Sequence, residues 1–344
     1  MKIGIIGLPQ SGKATVFEAL TKQSIAVGHK KENATSAIRV PDERIDFLGS
    51  IYNPKKTTYA QVTYFLPGAN DFDKETSLMQ DASNKVRDCD SLIHVVKNFK
   101  TFGGEKPRPY TDFKTLDQEM MLADLIVVEK RIERLELDKK RGKNVYPEEV
   151  SLLNQCLEKL GEEIPLRKCP DIVNTPYLKG YAFLSLKPML VLFNNEEDND
   201  SMPEAGETIL NETCMTIRGR LEQELVQMSE EDAADFLKEF NIDTTAMNRV
   251  IKKSYSLLGL ISFFTVGDDE VKAWTIKKNT TAVDAADVIH SDIKKGFIRA
   301  EVLSYDDFTS AGSHHEARKK GTLRLEGKTY EVQDGDIINF RFNV

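Results

Sequence analysis

Apolar positions along this chain follow two rhythms. Lys2–Ile6, Val62–Leu66, Ser91–Val96 and Met189–Phe193 are short, nearly continuous apolar runs. Such runs are expected of strands buried on both faces in a parallel sheet. Thr15–Gln23 instead repeats its apolar residues (Val16, Phe17, Ala19, Leu20) at helical spacing. Residues 1–110 therefore read as an α/β unit, and Met189–Phe193, after Pro188, reads as the same sheet resumed far downstream.

The interruption, residues 111–187, has the second rhythm. Met121, Leu125, Val128, Ile132 and Leu135 recur at alternating steps of four and three, as do Val150, Leu153, Leu157, Leu160 and Ile164. Both are narrow stripes of coiled-coil type. Between them lies the polar, basic stretch from Asp138 to Asn144, containing Gly142. The pattern predicts an antiparallel helical hairpin with a cationic tip. That tip is either a plain solvated turn or a contact for a phosphate-rich partner.

Residues 200–280 mix helices and strands. Ser229 precedes three acids and predicts a helix N-cap. Leu257–Val266 is apolar and aromatic and predicts a strand. Leu323–Val332 alternates around Glu326-Gly327, which predicts a hairpin; Asp334-Gly335-Asp336 predicts a turn and Ile338–Phe342 a last strand. Residues 281–344 thus form a small β-rich module.

Composition narrows the class. The chain has 344 residues, 40% hydrophobic and 30% charged, which suits a multidomain globular protein. No apolar run reaches the ~20 residues that span a bilayer, so no membrane partner is expected. The apolar N-terminus lacks a cleavage-site pattern and reads as a buried strand instead of a signal peptide. A net charge of −8 opposes sequence-blind coating of nucleic acid. Cys89, Cys156, Cys169 and Cys214 are scattered, which predicts free thiols in a reducing cytoplasm and no structural zinc. His314-His315 reads as solvated, and the single tryptophan, Trp274, reads as core.

Gly7-Leu8-Pro9-Gln10-Ser11-Gly12-Lys13-Ala14-Thr15 nearly matches the phosphate-loop pattern G-x-x-x-x-G-K-[ST], in the required strand-to-helix context. Glycines let successive N–H groups converge on one anion, the helix start adds its positive end, and Lys13 reaches phosphate oxygens. Ala14 departs from the pattern. The missing hydroxyl is the one that ligates Mg²⁺ in such loops, and Thr15 is rotated by ~100° away from that position.

Here the chain resembles a known family, the YchF-type Obg-like ATPases of the P-loop GTPase superfamily. Ala273–Ile276, Val288–Asp292, Lys295–Val302, Arg324–Lys328 and the closing Phe340–Val344 carry the resemblance most specifically. Val40–Asp46 and Leu122–Leu125 add to it. The resemblance implies an α/β fold: a P-loop GTPase-like, mostly parallel sheet, an inserted antiparallel helical coiled-coil arm and a C-terminal β-grasp-like TGS domain. The expected division is a nucleotide domain at 1–110 and 188–280, an arm at 111–187 and a TGS domain at 281–344. The family's base motif, Asn-x-x-Glu, is matched by Asn194-Asn195-Glu196-Glu197. It implies that Asn194, Asn195 and Glu197 face the base of ATP, with GTP as the alternative nucleotide. A solvated acidic turn is the competing reading of the same residues. The resemblance further implies ribosome or RNA association.

Departures from the family pattern bear on catalysis. Where its Asp-x-x-Gly motif should hold Mg²⁺ through water, Gly68 places Phe65. Residues 69–75, the expected switch, contain no glycine, and Ala69 replaces a bulky apolar residue. Thr35 aligns poorly with the family's metal-binding threonine. Two metal-holding positions are lost together, and no metal ligand is assigned. Lys13 is the one candidate catalytic residue. The sequence thus supports a nucleotide-binding relative with weak or lost Mg²⁺-dependent hydrolysis, or alternatively an active ATPase or GTPase switch. A P-loop kinase lacks any acceptor-binding feature.

Overall fold

The computed structural model describes residues 1–23, 32–68, 85–100, 106–173, 175–204, 209, 212–239 and 245–343. The expected switch at 69–75 lies outside them. Two compact units share the chain: Met1–Ala37 with Thr63–Val250, and Ile38–Val62 with Ile251–Val344.

The first unit is built on a six-stranded sheet. Its strands are β1 (Lys2–Ile6), β2 (Ala34–Arg39), β4 (Gln61–Leu66), β5 (Ser91–Asn98), β6 (Met189–Asn195) and β7 (Thr213–Ile217), in the order β2-β4-β1-β5-β6-β7. The pairings of β4, β1, β5, β6 and β7 are all parallel. All seven residues of β6 are buried, which explains its unbroken apolar reading. Strand order reverses direction at β1, so the end of β1 is the crevice where open α/β sheets take ligands. Helix α1 (Lys13–Thr21) follows that end directly.

The predicted hairpin is present as α3 (Pro109–Lys140) and α4 (Pro147–Gly161). Met121, Val128 and Leu135, spaced by seven, are buried with Leu153, Cys156 and Leu160 in one cluster, with Leu125, Ile132, Val150 and Leu157 against it. Burying such side chains contributes about 1.5–3 kcal/mol each. At the tip Gly142 adopts φ +75°, and Lys143 Nζ meets Asp138 Oδ1 at 2.8 Å. At the base, fully buried Asp124 accepts from Leu184 N (2.9 Å), Ser185 N (2.7 Å) and Ser185 Oγ (2.8 Å), with Arg87 Nη1 at 3.2 Å.

The rest of the first unit's helices are α5 (Gly219–Gln227) and α6 (Glu230–Glu239). Ser229 caps α6 as expected, accepting from Asp232 N at 3.1 Å. Helix α7 (Ala246–Leu257) follows.

The second unit has its own six-stranded sheet. It contains β3 (Lys56–Thr58), β8 (Leu260–Thr265), β9 (Glu270–Lys277), β10 (Phe297–Ser304), β11 (Arg324–Glu326) and β12 (Asp336–Phe342), in the order β11-β10-β12-β8-β9-β3. Its core joins Phe263, Ile276, Ala282, Ala285, Phe297, Val302, Ile338 and Phe340. Trp274 packs against this core and donates Nε1–H to Thr265 Oγ1 at 2.9 Å.

Three sequence expectations differ from what is found here. The division at 1–110, 188–280 and 281–344 shifts: Ile38–Val62 belongs to the second unit and gives it β3, and β8 and β9 hydrogen-bond in the C-terminal sheet, where their apolar face completes the core around Ile338 and Phe340. The expected strand 257–266 is split: α7 runs to Leu257, Gly259 turns the chain at φ +64°, and β8 starts at Leu260. The alternation at 323–332 is no hairpin. Arg324–Glu326 pairs antiparallel with Ala300–Val302 of β10, while Glu331 bridges to Thr281. Tyr330 and Val332 point into the core, which satisfies their alternation without a second strand.

Candidate functional site

The loop from Gly7 to Gly12 leaves β1 and enters α1 with three left-handed or extended turns of backbone. Gly7 has φ +156°, Gln10 +60° and Gly12 +93°. Space reinforces conformation at both glycines. A Cβ on Gly7 would lie 2.4 Å from Val95 O, and one on Gly12 would lie 2.2 Å from Asn194 Nδ2. Leu8 packs against the core on the α3 side, while Pro9 and Gln10 are exposed.

Lys13, the first residue of α1, folds back over the loop. Its Nζ donates to Gly7 O and Leu8 O, each at 2.8 Å. Burial lowers its pKa from 10.5 to about 8. The ammonium thus rests on two backbone carbonyl oxygens of the loop. Val16 N already donates to Gly12 O at 2.9 Å, so helical bonding starts at the loop itself. Ser11 is buried, and its Oγ has no hydrogen-bond partner. Ala14 and Thr15 lie on the partly exposed first turn.

The segment after β6 meets the loop. Asn194 Nδ2 donates to Ser11 O at 3.1 Å, and its Oδ1 accepts from Gly219 N at 3.0 Å. Asn194 is buried and so ties the phosphate loop to the start of α5. A Cβ on Gly219 would fall 2.7 Å from Asn194 Oδ1, so a larger residue there would push the Asn194 amide out of its present bonds. Asn195 is buried too; it donates to Ser201 O at 2.8 Å and accepts from Asn98 Nδ2 at 2.9 Å. Glu197 is exposed, 3.1 Å from Arg220 Nε. The structure therefore gathers Ser11, Gly12, Lys13 and Asn194 at one end of the sheet. Asn195 braces its own turn, and Glu197 sits on the rim. Gly219 and Arg220 went unnoticed in the sequence, where Arg218-Gly219-Arg220 has no pattern of its own.

His94 also escaped notice. It lies on β5 opposite Ile6, fully buried, with both ring nitrogens unpartnered and its ring stacked on Phe113 at 5.4 Å. Burial, then the charges of Arg167 and Lys13, lower its pKa to about 3.

Among the described residues, the two positions where the loop pattern and the family motif would anchor a Mg²⁺ ion do not fit it. Ala14 offers a methyl group. Phe65 is buried in an apolar cluster with Val86, Cys89 and Leu92, and the Lys2 ammonium lies 3.9 Å from its ring centroid. Neither position supplies an oxygen for a cation that demands six. Among the described residues no group of three or more His, Cys, Asp or Glu side chains could hold a metal. Thr35 is exposed on β2. Among them also, no helix is long and apolar enough to cross a membrane.

Comparison with known proteins places this geometry. Residues 260–343 match the family model YchF-GTPase_C, described as a protein of unknown function (DUF933). The "Ribosome-binding ATPase YchF" of Haemophilus ducreyi is 37% identical over 363 aligned positions, spanning 100% of this chain and 99% of the relative. Its namesake in Bacillus subtilis is 35% identical, covering 99% of each chain. The solved structure of the Schizosaccharomyces pombe YchF GTPase superposes with a TM-score of 0.86 at 28% identity, over 99% of this chain and 97% of that one. A GTP binding protein from Pyrococcus horikoshii, 20% identical with a TM-score of 0.59, shares the fold.

Proposed function

Since the chain belongs to the YchF family by full-length identity to its curated members, we propose that it binds a purine nucleotide, ATP or ADP in preference to GTP, at the Gly7–Thr15 loop without a protein-held metal. The observation that carries this reading is the Lys13 ammonium resting on Gly7 O and Leu8 O. Those two bonds are exchanged for phosphate oxygens when a polyphosphate enters. The loop amides and the start of α1 supply the remaining positive field. Asn194 holds the loop in its binding shape through Ser11 and Gly12, and the rim at Glu197 faces the base.

Phosphoryl transfer in this fold relies on Mg²⁺ to neutralise charge and align the phosphates. With Ala14 and Phe65 at its two anchoring positions, hydrolysis is weak or lost, and the protein acts through its bound state. Relatives named ribosome-binding ATPases support the ribosome as partner, and the cytoplasm as its compartment. The exposed Lys139, Lys140, Arg141 and Lys143 at the arm tip offer a cationic contact for RNA phosphate.

Calorimetric titration with ATP, ADP, GTP and GDP, each with and without Mg²⁺, tests the site. Adenine nucleotides should bind with little dependence on Mg²⁺, and Lys13→Ala should abolish binding. Absence of binding to the unmodified protein, or rapid Mg²⁺-dependent turnover, would overturn the reading. Cosedimentation with ribosomes, lost on replacing the four tip cations by Ala, tests the partner.

A further inference from the structure

The base side of the loop carries an ion pair that phosphate binding leaves unused. Glu197 Oε1 lies 3.1 Å from Arg220 Nε. Arg220 is the second residue of α5, directly after Gly219, whose N–H is fixed on Asn194 Oδ1. On the other side of that glycine, Arg218 Nη1 reaches Glu197 O at 3.5 Å. Arg220 Nε donates its hydrogen bond to Glu224 Oε1 at 3.3 Å, one turn along the helix, so Glu197 meets the guanidinium as an ion pair. The Glu197 turn is therefore flanked by two arginines on either side of Gly219, whose own N–H is pinned to the asparagine that holds the phosphate loop.

The chemistry of the base edge gives this pairing a consequence. A free carboxylate presents two acceptors, the complement of the adjacent N1–H and N2–H donors of guanine. A carboxylate engaged by a guanidinium presents an acceptor beside a donor. That couple is the complement of adenine, whose Watson–Crick edge offers the N6–H donor beside the N1 acceptor. We propose that Arg220 is a specificity-determining residue of the nucleotide site: by pairing with Glu197 it turns an acceptor-only rim into a donor–acceptor couple that selects adenine over guanine. This rests on the nucleotide-binding reading above. Both side chains are largely exposed, 76% for Arg220 and 52% for Glu197. Such a pair adds little to folding stability, so its loss is read in selectivity and leaves the fold intact.

The test is the ratio of ADP to GDP affinity, measured by calorimetry without Mg²⁺ on the full chain. The unmodified protein should favour ADP. Arg220→Ala should move the ratio toward GDP by about fivefold or more, and Arg220→Lys, which keeps a cationic donor, should stay near the unmodified value. Arg220→Ala with Glu197→Ala should lose the gain in GDP affinity, since no acceptor remains. An ADP-to-GDP ratio unchanged by Arg220→Ala, in a variant that still binds either nucleotide, overturns the proposal. Failure of the unmodified protein to bind either nucleotide would instead remove the site itself, a separate result.

Discussion

Asn194 and Ser11, 183 positions apart, are joined by a buried bond from Nδ2 to the Ser11 carbonyl at 3.1 Å. The other end of the same amide accepts from Gly219 N. Replacing Asn194 by Ala strands a buried carbonyl and a buried N–H, at a cost of about 2–3 kcal/mol. It also frees the loop. Asn194→Ala should lower the unfolding midpoint and weaken nucleotide binding together. A variant that kept full affinity would show the tie to be dispensable.

Phe65 tests the metal argument from the stability side. It packs in an apolar cluster with the Lys2 ammonium 3.9 Å from its ring centroid, so Phe65→Asp empties a core position and buries a carboxylate with that one cation in reach, and should cost about 3 kcal/mol. Ala14→Ser adds a hydroxyl on a partly exposed turn and should fold normally. Hydrolysis with Mg²⁺ should stay low in Ala14→Ser alone. A large rate gain in that single variant would place the lesion at Ala14 alone and show that Phe65 has no part in it.

His94 sets an acid limit on stability. Its pKa is about 3 in the folded protein against 6.5 ordinarily. Between those values the unfolded chain takes up a proton that the folded protein refuses. Stability therefore falls as pH drops below 6.5, by on the order of 2 kcal/mol at about pH 5. Above 6.5 the ring is neutral in both states and contributes no slope. His94→Leu should flatten the dependence of the unfolding midpoint between about pH 5 and 6.5. Equal slopes in the two proteins would contradict this.

Lys13 should make nucleotide binding pH-dependent in the opposite range. Its folded pKa is about 8. Above that value the free protein must recover a proton before its ammonium can hold phosphate. ADP affinity should therefore fall as pH rises through about 8, approaching tenfold per unit. Calorimetry in buffers of different ionisation enthalpy reads the proton uptake directly. A flat profile from neutral to pH 9 would show that Lys13 stays charged without ligand.

Arg44 offers a test within the second unit. It meets Asp334 through Nη1 at 2.9 Å and Nη2 at 3.2 Å, and Asp42 through Nε at 2.9 Å and Nη2 at 2.8 Å. Burial opposes its charge, but the bonds to Asp42 and Asp334 prevail and raise its pKa. Asp334 also accepts from Ser262 N at 2.9 Å. Being partly exposed, the pair should be worth about 1 kcal/mol, and Arg44→Ala should lower the unfolding midpoint accordingly. No change would assign residues 38–62 a weaker hold.

Much of this was legible in the sequence because the governing forces were local or periodic. β1, β5 and β6 announced themselves as unbroken apolar runs, and the hairpin by its stripes at steps of three and four. The phosphate loop showed in two glycines and a lysine. What stayed hidden was pairing across long separations. β3 is three residues, Lys-Thr-Thr, with no apolar signal; only its register with Glu270–Lys272 makes it a strand. The role of Asn194 as a tie depends on Gly219, 25 positions away, and a lone glycine before a helix carries no such label. His94 read as one more member of an apolar strand, since burial of an imidazole leaves no trace in spacing.

The segment Ile38–Val62 has a consequence for dissection. It contributes β3 and helix α2 (Glu43–Tyr52) to the C-terminal sheet and its coverings, where Phe47 packs edge-on against Tyr305 and Tyr52 stacks on Phe308. A fragment cut at 260–343 would lose those partners and leave Phe264 and Phe308 without their cover. This unit is sewn from two segments far apart along the chain, so its boundary is a seam in space and cannot be reproduced by a single cut.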